Sequence, residues 1–411
     1  MSSATMSSSE PHDSPPHRPT LRRIYIGQGL RAFGDGFAVI LLPVYLSAIG
    51  LSAVEIGVVA SASLLGTAAL TLAVGFLAPR YDLRTLFIIG GCLVALTGIA
   101  LPSAASFVPV LLVAFVGSIN ASSGTLGMLV PLEHALLTRE SSDRRRTRAF
   151  ANYSLVGALL GAAGALAAAL PDFLGAYGIL PSAALTLMFY LYAALGLISV
   201  WLYRGLPHAR DGTARPQSPL GTSRAIVYKL AALFSVDSFA GGFIAQSLLA
   251  LWLFQKFELS LAAASLFFFW SALLSAASYP VAVWLAARFG LVNTMVFTHI
   301  PSSVCLIVAA FSDNLAFVLA LLLIRSALGQ MDVPTRSSYV MAVVTPGERA
   351  AAASVTAVPR SFASSLSPAI AGVLFASPFS GLPLVICGSL KIAYDIALLA
   401  MFRATKAPEE L

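Results

Sequence analysis

Four ionisable side chains stand deep inside apolar runs: Asp35, Asp237, Arg325 and Arg360. Asp237 is ten residues into its run and Arg325 ten into another, "FVLALLLIRSALGQMDVPTR". Ionisable groups at such depth mark ion or substrate paths and proton relays, because they face a cavity or a partner instead of lipid. Asp237 has no basic residue within one turn of its own helix, so it is a candidate to take up and release a proton, as is Asp35. Arg325 and Arg360 are suited to hold an anionic part of a solute or to gate, with Arg31 and Gln330 beside them as further cavity candidates. Arg31 and Asp35 are spaced i, i+4 and can pair along one helix face. Asp332 and Arg336 have the same spacing near the end of their run, which suits a structural pair or gate latch. Glu133 and His134 occupy a matching end and are gating or proton candidates. His299 reads as a packing histidine, and Lys391 with Asp395 as an internal structural pair.

The chain that positions these groups has 411 residues, 58% hydrophobic and 10% charged. A soluble domain carries about 25% charged residues, so this chain expects lipid as its main solvent. Twelve runs are long enough to cross a bilayer: 24–48, 54–78, 85–103, 107–130, 149–170, 183–203, 227–254, 261–286, 292–311, 315–340, 352–376 and 383–402. Loops alternate between basic and nearly bare. Arg80 and Arg84, then Arg139 to Arg148, then Arg204 to Arg224, then Arg288 and Arg349 mark one side. Lys256 is the only base on the other. The positive-inside rule puts both termini in the cytoplasm. The net charge of +7 is therefore topological, and no nucleic-acid partner is expected.

The expected organisation is a disordered cytoplasmic tail (1–21), six spans (22–203), a cytoplasmic linker (204–226), six further spans (227–403) and a short tail (404–411). The two sets of spans repeat each other. "LAPR" at 77–80 meets "LAAR" at 285–288, an offset of 208, and "VPLEHALL" at 130–137 meets "VPTRSSYV" at 333–340, an offset of 203. Six is even, so the repeat is parallel, about an axis along the membrane normal.

On these features the chain resembles the major facilitator superfamily. "GFLAPRYDLRTLF" (75–87) is similar to that family's loop signature through Gly75, Leu77, Ala78, Arg80 and Arg84, with Pro79 in place of its acid and Asp82 in place of its glycine. The second copy keeps Arg288 and Gly290. The resemblance assigns this loop, with Asp82, to stabilising one state of the transport cycle. It also implies an all-helical fold of two six-helix bundles in which spans 1, 4, 7 and 10 line a central cavity. Arg325 and Gly329 resemble the family's R-x-x-x-G element, normally in span 4, where this chain has Ser122. Gly157, Gly161 and Gly164 resemble an antiporter glycine pattern, with Ala162 in place of its proline.

The resulting expectation is a secondary active transporter that exports a small solute against protons. An importer of an organic anion and a non-transporting sensor or scaffold are the alternatives. The four deep charges should share one wet chamber between the halves. No P-loop, H-E-x-x-H, G-x-S-x-G or Cys/His cluster is present, so neither enzyme chemistry, a cofactor nor a bound metal is expected. The protein should be a monomer in the inner membrane of a cell, bacterial by its lysine-poor composition.

Overall fold

The computed structural model describes residues 18–78, 80–117, 119, 127, 129–140, 143–208, 220–345 and 348–403. Pro79, Ser122, the outer parts of both tails and most of the linker lie outside them. The arginine run at 143–148 is described as backbone, with only the Arg148 side chain, which is exposed.

Sixteen helices appear among these residues. They are α1 (Arg18–Ala48), α2 (Ala53–Leu77), α3 (Leu83–Ser103), α4 (Phe107–Val116), α5 (Val130–Glu140), α6 (Asp143–Ala167), α7 (Leu170–Ala176), α8 (Pro181–Tyr203), α9 (Arg224–Gly242), α10 (Gln246–Phe257), α11 (Leu261–Phe289), α12 (Leu291–Ala310), α13 (Leu315–Gly329), α14 (Asp332–Ala342), α15 (Arg349–Phe375) and α16 (Leu382–Phe402). Each of the twelve expected runs contains helix; runs 7 and 10 are each made of two helices, while α5 meets run 4 only at Val130 and α7 meets run 5 only at Leu170, both continuing beyond the expected limits. Ten stretches are long and apolar enough to cross a membrane. Run 4 contributes the shorter apolar helix α4. Run 11, α15, is 27 residues long but carries Arg360 and six serines and threonines, which takes it out of that group. Its polar residues are affordable because α15 packs between α2 and α9, while Leu366, Ile370 and Val373 form an exposed apolar stripe.

Local chemistry sets the helix ends. Ser52 and Glu55 form a capping box at the start of α2, satisfying donors that have no partner inside the helix. Ser260 caps α11 and Asn314 caps α13 through their side-chain oxygens. Gly290 joins α11 to α12 at φ 87°, a backbone angle that a residue with a Cβ adopts only under strain. Run 7 breaks at Phe243–Ala245, where three successive i→i−3 bonds, 3.2–3.3 Å, take over from the α-helical ladder. Run 10 breaks at Gln330, and Pro334 sits in the first turn of α14, where it displaces no helical donor.

Between helices in lipid there is no hydrophobic drive of the kind found in water, so close packing must hold them. Small residues provide it. Gly164 of α6 lies directly on the Phe33 carbonyl of α1, and Gly36 of α1 directly on the Gly161 carbonyl of α6. The repeat offset maps α2 onto α11 and α6 onto α15. The α2–α15 and α6–α11 packings are therefore one contact made twice, and both join the two halves of the chain.

The buried apolar residues divide unevenly along the membrane normal. One core joins both halves at the non-cytoplasmic end, running from Phe37–Leu46 and Ile56–Leu64 to Leu248–Leu253, Ala371 and Phe375. At the cytoplasmic end there are two cores. One is built from Ile24, Phe87, Leu132, Leu137 and Tyr203, the other from Val227, Phe234, Val292, Tyr339 and Phe402. The halves are thus fused at one end and separate at the end that carries the basic loops.

The outer closure rests on a backbone contact. A Cβ on Gly57 would stand 2.5 Å from the Pro368 carbonyl oxygen and 2.8 Å from the Gly372 Cα. Overpacking of this kind costs about 1–3 kcal/mol. Gly57→Leu should therefore favour opening at the outer end. A cysteine at Ser61, whose hydroxyl accepts the Ala369 N–H across the interface, should then react at least about tenfold faster with an impermeant thiol reagent. An unchanged rate would show that this contact does not hold the outer face shut.

Candidate functional site

Two buried ion networks occupy the interior, one per half. In the first, Arg31 of α1 donates to Glu133 of α5 at 2.8 and 2.5 Å. Tyr153 of α6 donates to the same carboxylate at 2.5 Å. Gln28 accepts a further bond from Arg31. Glu133 is fully buried, and two charged or polar donors compensate its loss of water. The i, i+4 pairing of Arg31 with Asp35 does not form. A partner from α5 presents both carboxylate oxygens to the guanidinium fork, a geometry one helix turn cannot offer. Asp35 is left accepting one bond, from the Tyr192 hydroxyl of α8 at 3.1 Å.

In the second network Asp237 of α9 is the hub. Arg336 of α14 donates to it at 3.0 Å and Lys391 of α16 at 2.6 Å. Arg336 also binds Asp332 at 2.5 Å, the i, i+4 pair expected from spacing. Asp237 is 5% exposed. Asp237, the proton-coupling candidate, is held in an ion network here. No base lies within a turn on its own helix, but two arrive from other helices, and a carboxylate clamped by two cations is poorly placed to carry a proton through a cycle. Lys391 and Asp395 do not pair with each other either. Lys391 turns to Asp237, and Asp395 binds His299 of α12 at 3.0 Å. His299 is therefore a member of an ion network, not a packing histidine.

The two networks are related by the repeat. Glu133 and Arg336 are the same position in "VPLEHALL" and "VPTRSSYV", offset 203. Each half ties its first run to its fourth with one buried pair, and the signs are exchanged. A signal for this was present in the sequence. The tetrapeptide D-x-F-A occurs at 35–38 and again at 237–240, offset 202, and makes Asp35 and Asp237 counterparts.

The four deep charges are not gathered in one chamber. Arg360 meets the second network, its Nε donating to Ser238 at 3.1 Å, next to Asp237. Asp35 belongs to the other half. The ionisable neighbour of Arg325 is Cys387 of α16. Among the described residues neither Arg325 nor Arg360 has a carboxylate within ion-pair distance. Gln330 is exposed at the break between α13 and α14. A cavity of about 100 Å³ lies between the halves, lined by Thr67 and Thr71 of α2, Val130 and Pro131 of α5, and Ser361 and Ser364 of α15.

The cytoplasmic signature makes other contacts. Gly75 and Arg80 face open space. Asp82 caps α3 at the Arg84 N–H and pairs with His208 of the linker at 2.5 Å, and Arg84 also meets His208, at 2.9 Å. Its charges thus engage the chain's own linker while the halves are apart. Arg288 packs against the Trp284 and Phe289 rings. His134 sits edge-on to Phe150 and Tyr153.

With this geometry, the sequence matches the Major Facilitator Superfamily over residues 24–245, more than half the chain. The chain belongs to that superfamily. Solved structures of the same fold include the nucleoside transporter NupG (15% identity, TM-score 0.73, covering 94% of this chain and 100% of that one). The xylose transporter XylE of E. coli in its inward open conformation aligns at 14% identity and TM-score 0.73, covering 95% and 98%. The human organic anion transporter MFSD10 aligns at 17% and 0.64, covering 94% and 100%. In sequence, an uncharacterized membrane protein of Saccharomyces cerevisiae, YJR124C, is 25% identical over 92% of this chain and 93% of its own length. Similarity to a yeast protein means that a lysine-poor composition does not by itself mark a bacterial chain. The protein is a multi-pass membrane transporter.

Asp237→Asn would leave Arg336 and Lys391 buried with one carboxylate fewer. Breaking a buried pair in this way costs about 3–5 kcal/mol, read as a large drop in the thermal midpoint of the purified protein. Adding Lys391→Met should recover part of the loss. A double variant no better than the single one would mean that Lys391 is not held by Asp237.

Proposed function

We propose that this transporter moves a small organic anion by alternating access, coupled to protons through Asp35. The observation that carries the reading is what remains after pairing. Arg31, Glu133, Asp237, Asp332, Arg336 and Lys391 neutralise one another. Among the described residues Asp35 accepts a hydrogen bond from the Tyr192 phenol, Arg360 donates one to a serine hydroxyl, and neither has an ion-pair partner. An acid without a base can load and release a proton, and a guanidinium without a carboxylate suits a carboxylate or phosphate. Arg360 is well placed to report an anion to the interface, because α15 packs on α2 across the two halves. The hydroxyl-lined cavity beside Ser361 and Ser364 offers further donors.

Export was the direction suggested by the glycines of α6. Gly157 packs on Gln28, and Gly164 on the Phe33 carbonyl. Helix packing against α1 accounts for both, so the pattern no longer argues for a direction. The fold neighbours carry nucleosides, xylose and organic anions by their names, and likeness at this identity transfers none of these cargoes.

The test is a solute panel on reconstituted protein with an imposed pH gradient. Asp35→Asn should abolish gradient-driven uptake while leaving solute exchange. Arg360→Ala should weaken apparent affinity about 10- to 100-fold, since a bond to a charged group contributes about 1.5–3 kcal/mol. Transport of only neutral or cationic members of the panel, or an Asp35→Asn protein still driven by the gradient, would refute the reading.

A further inference from the structure

The transport reading leaves one buried string unused. Lys391 reaches His299 as well as Asp237, with Nζ 3.3 Å from the imidazole Nε2. An ammonium has donors and no acceptor, so Nε2 accepts this bond and carries no hydrogen. Nδ1 then holds the ring hydrogen and donates to Asp395, 3.0 and 3.1 Å from its two oxygens. The partners thus assign the neutral, Nδ1–H tautomer. His299 is 3% exposed, and its ring stands edge-on to Tyr394 at 6.2 Å.

Two carboxylates stand against the His299 ring, Asp395 at Nδ1 and Asp237 3.9 Å from Nε2. The groups facing His299 are Asp237 of α9, whose Oδ1 is 3.9 Å from Nε2, and Lys391 and Asp395 of α16. Behind Asp237 stand Arg336 and Asp332 of α14. Of the other packed helices, α13 supplies Arg325, whose ionisable neighbour is Cys387, and α11 supplies Tyr279, whose ionisable neighbour is Asp332. With His299 neutral, Asp237, Asp332 and Asp395 face Lys391 and Arg336, and Arg360 stands beside them through Ser238. Asp395 has His299 as its ion-pair partner.

We propose that His299 is a second proton-coupling residue, and that its protonation at Nε2 releases Lys391 and resets the Asp237 hub. This deepens the proton-coupled reading above and rests on it. Lys391 is the more exposed end of the string, 13% against 4% for the histidine side chain. It passes a proton to Nε2 along their hydrogen bond and regains one from water at its exposed edge. The net change is one proton gained. The imidazolium keeps its bond to Asp395, while Nε2–H now opposes the ammonium and the 3.3 Å contact breaks. Lys391 is left to Asp237 alone. The residue after Asp237 is Ser238, which holds Arg360 of α15, the helix on the inter-half contact. The protonation state of a peripheral helix pair thereby reaches the interface that must move. His299 is a positioning residue in this scheme and does not touch the solute.

The test needs no solute. Spin labels at Tyr81→Cys and Phe289→Cys, both more than half exposed at the cytoplasmic ends of the two halves, report the inner opening in full-length protein lacking Cys92, Cys305 and Cys387. In lipid nanodiscs the inter-label distance distribution should shift between about pH 8 and about pH 5.5, over the range where an imidazole titrates. In an Asp35→Asn background, which removes the other proposed proton site, His299→Gln, which keeps hydrogen bonding without titrating, should give one distribution at both pH values. A parent that does not respond, or a His299→Gln protein that responds as the parent does, overturns the proposal. The unsubstituted chain has five histidines, so nitrogen NMR of labelled imidazoles follows His299 without any variant. The Nδ1–H tautomer at high pH and a doubly protonated ring at low pH are expected, and a ring that stays neutral throughout overturns the proposal. The imidazole NMR reads His299 itself and uses neither a gradient nor Asp35, so failure of the Asp35 reading in proteoliposomes and failure here are separate results.

Discussion

An ionised side chain inside a lipid-embedded bundle costs several kcal/mol unless a partner or water receives it. The structure meets this constraint with two cross-helix pairs, Arg31–Glu133 and Asp237–Arg336. Each ties the first run of a half to its fourth. Because the pairs are buried and hydrogen-bonded, each half has a reason to stay together as a unit. The softer contacts lie between the halves, where glycines and serines meet across α2 and α15. Rigid halves joined by a small-residue interface suit rocking more than local unfolding.

The exchange of sign between the two pairs bears on function. A duplicated bundle with identical charges would present two equivalent walls. Here the cation stands on α1 in one half and the anion on α9 in the other, so the walls differ electrostatically although their backbones correspond. The unpaired groups are distributed in the same asymmetric way, with an acid on the first half and arginines on the second.

The conformation is also legible in the packing. A shared apolar core at the outer end and separate cores at the inner end leave the cytoplasmic signature disengaged from the opposite half. That is why Asp82 and Arg84 are found on His208 of the linker.

The twelve runs, the orientation and the parallel repeat followed from the sequence because they are written in composition and spacing. About 20 apolar residues cross a bilayer whatever their neighbours, loop arginines report a side, and Asp332–Arg336 paired as i, i+4 geometry requires. Which ions meet across helices was not written there. Arg31 chose Glu133, 102 residues away, over Asp35, four away. Lys391 chose Asp237 over Asp395. Helix spacing can only propose partners on one helix, and a buried charge takes whichever carboxylate offers the better fork and the drier site. That choice depends on how α1, α5, α9, α14 and α16 pack, which only the tertiary structure decides.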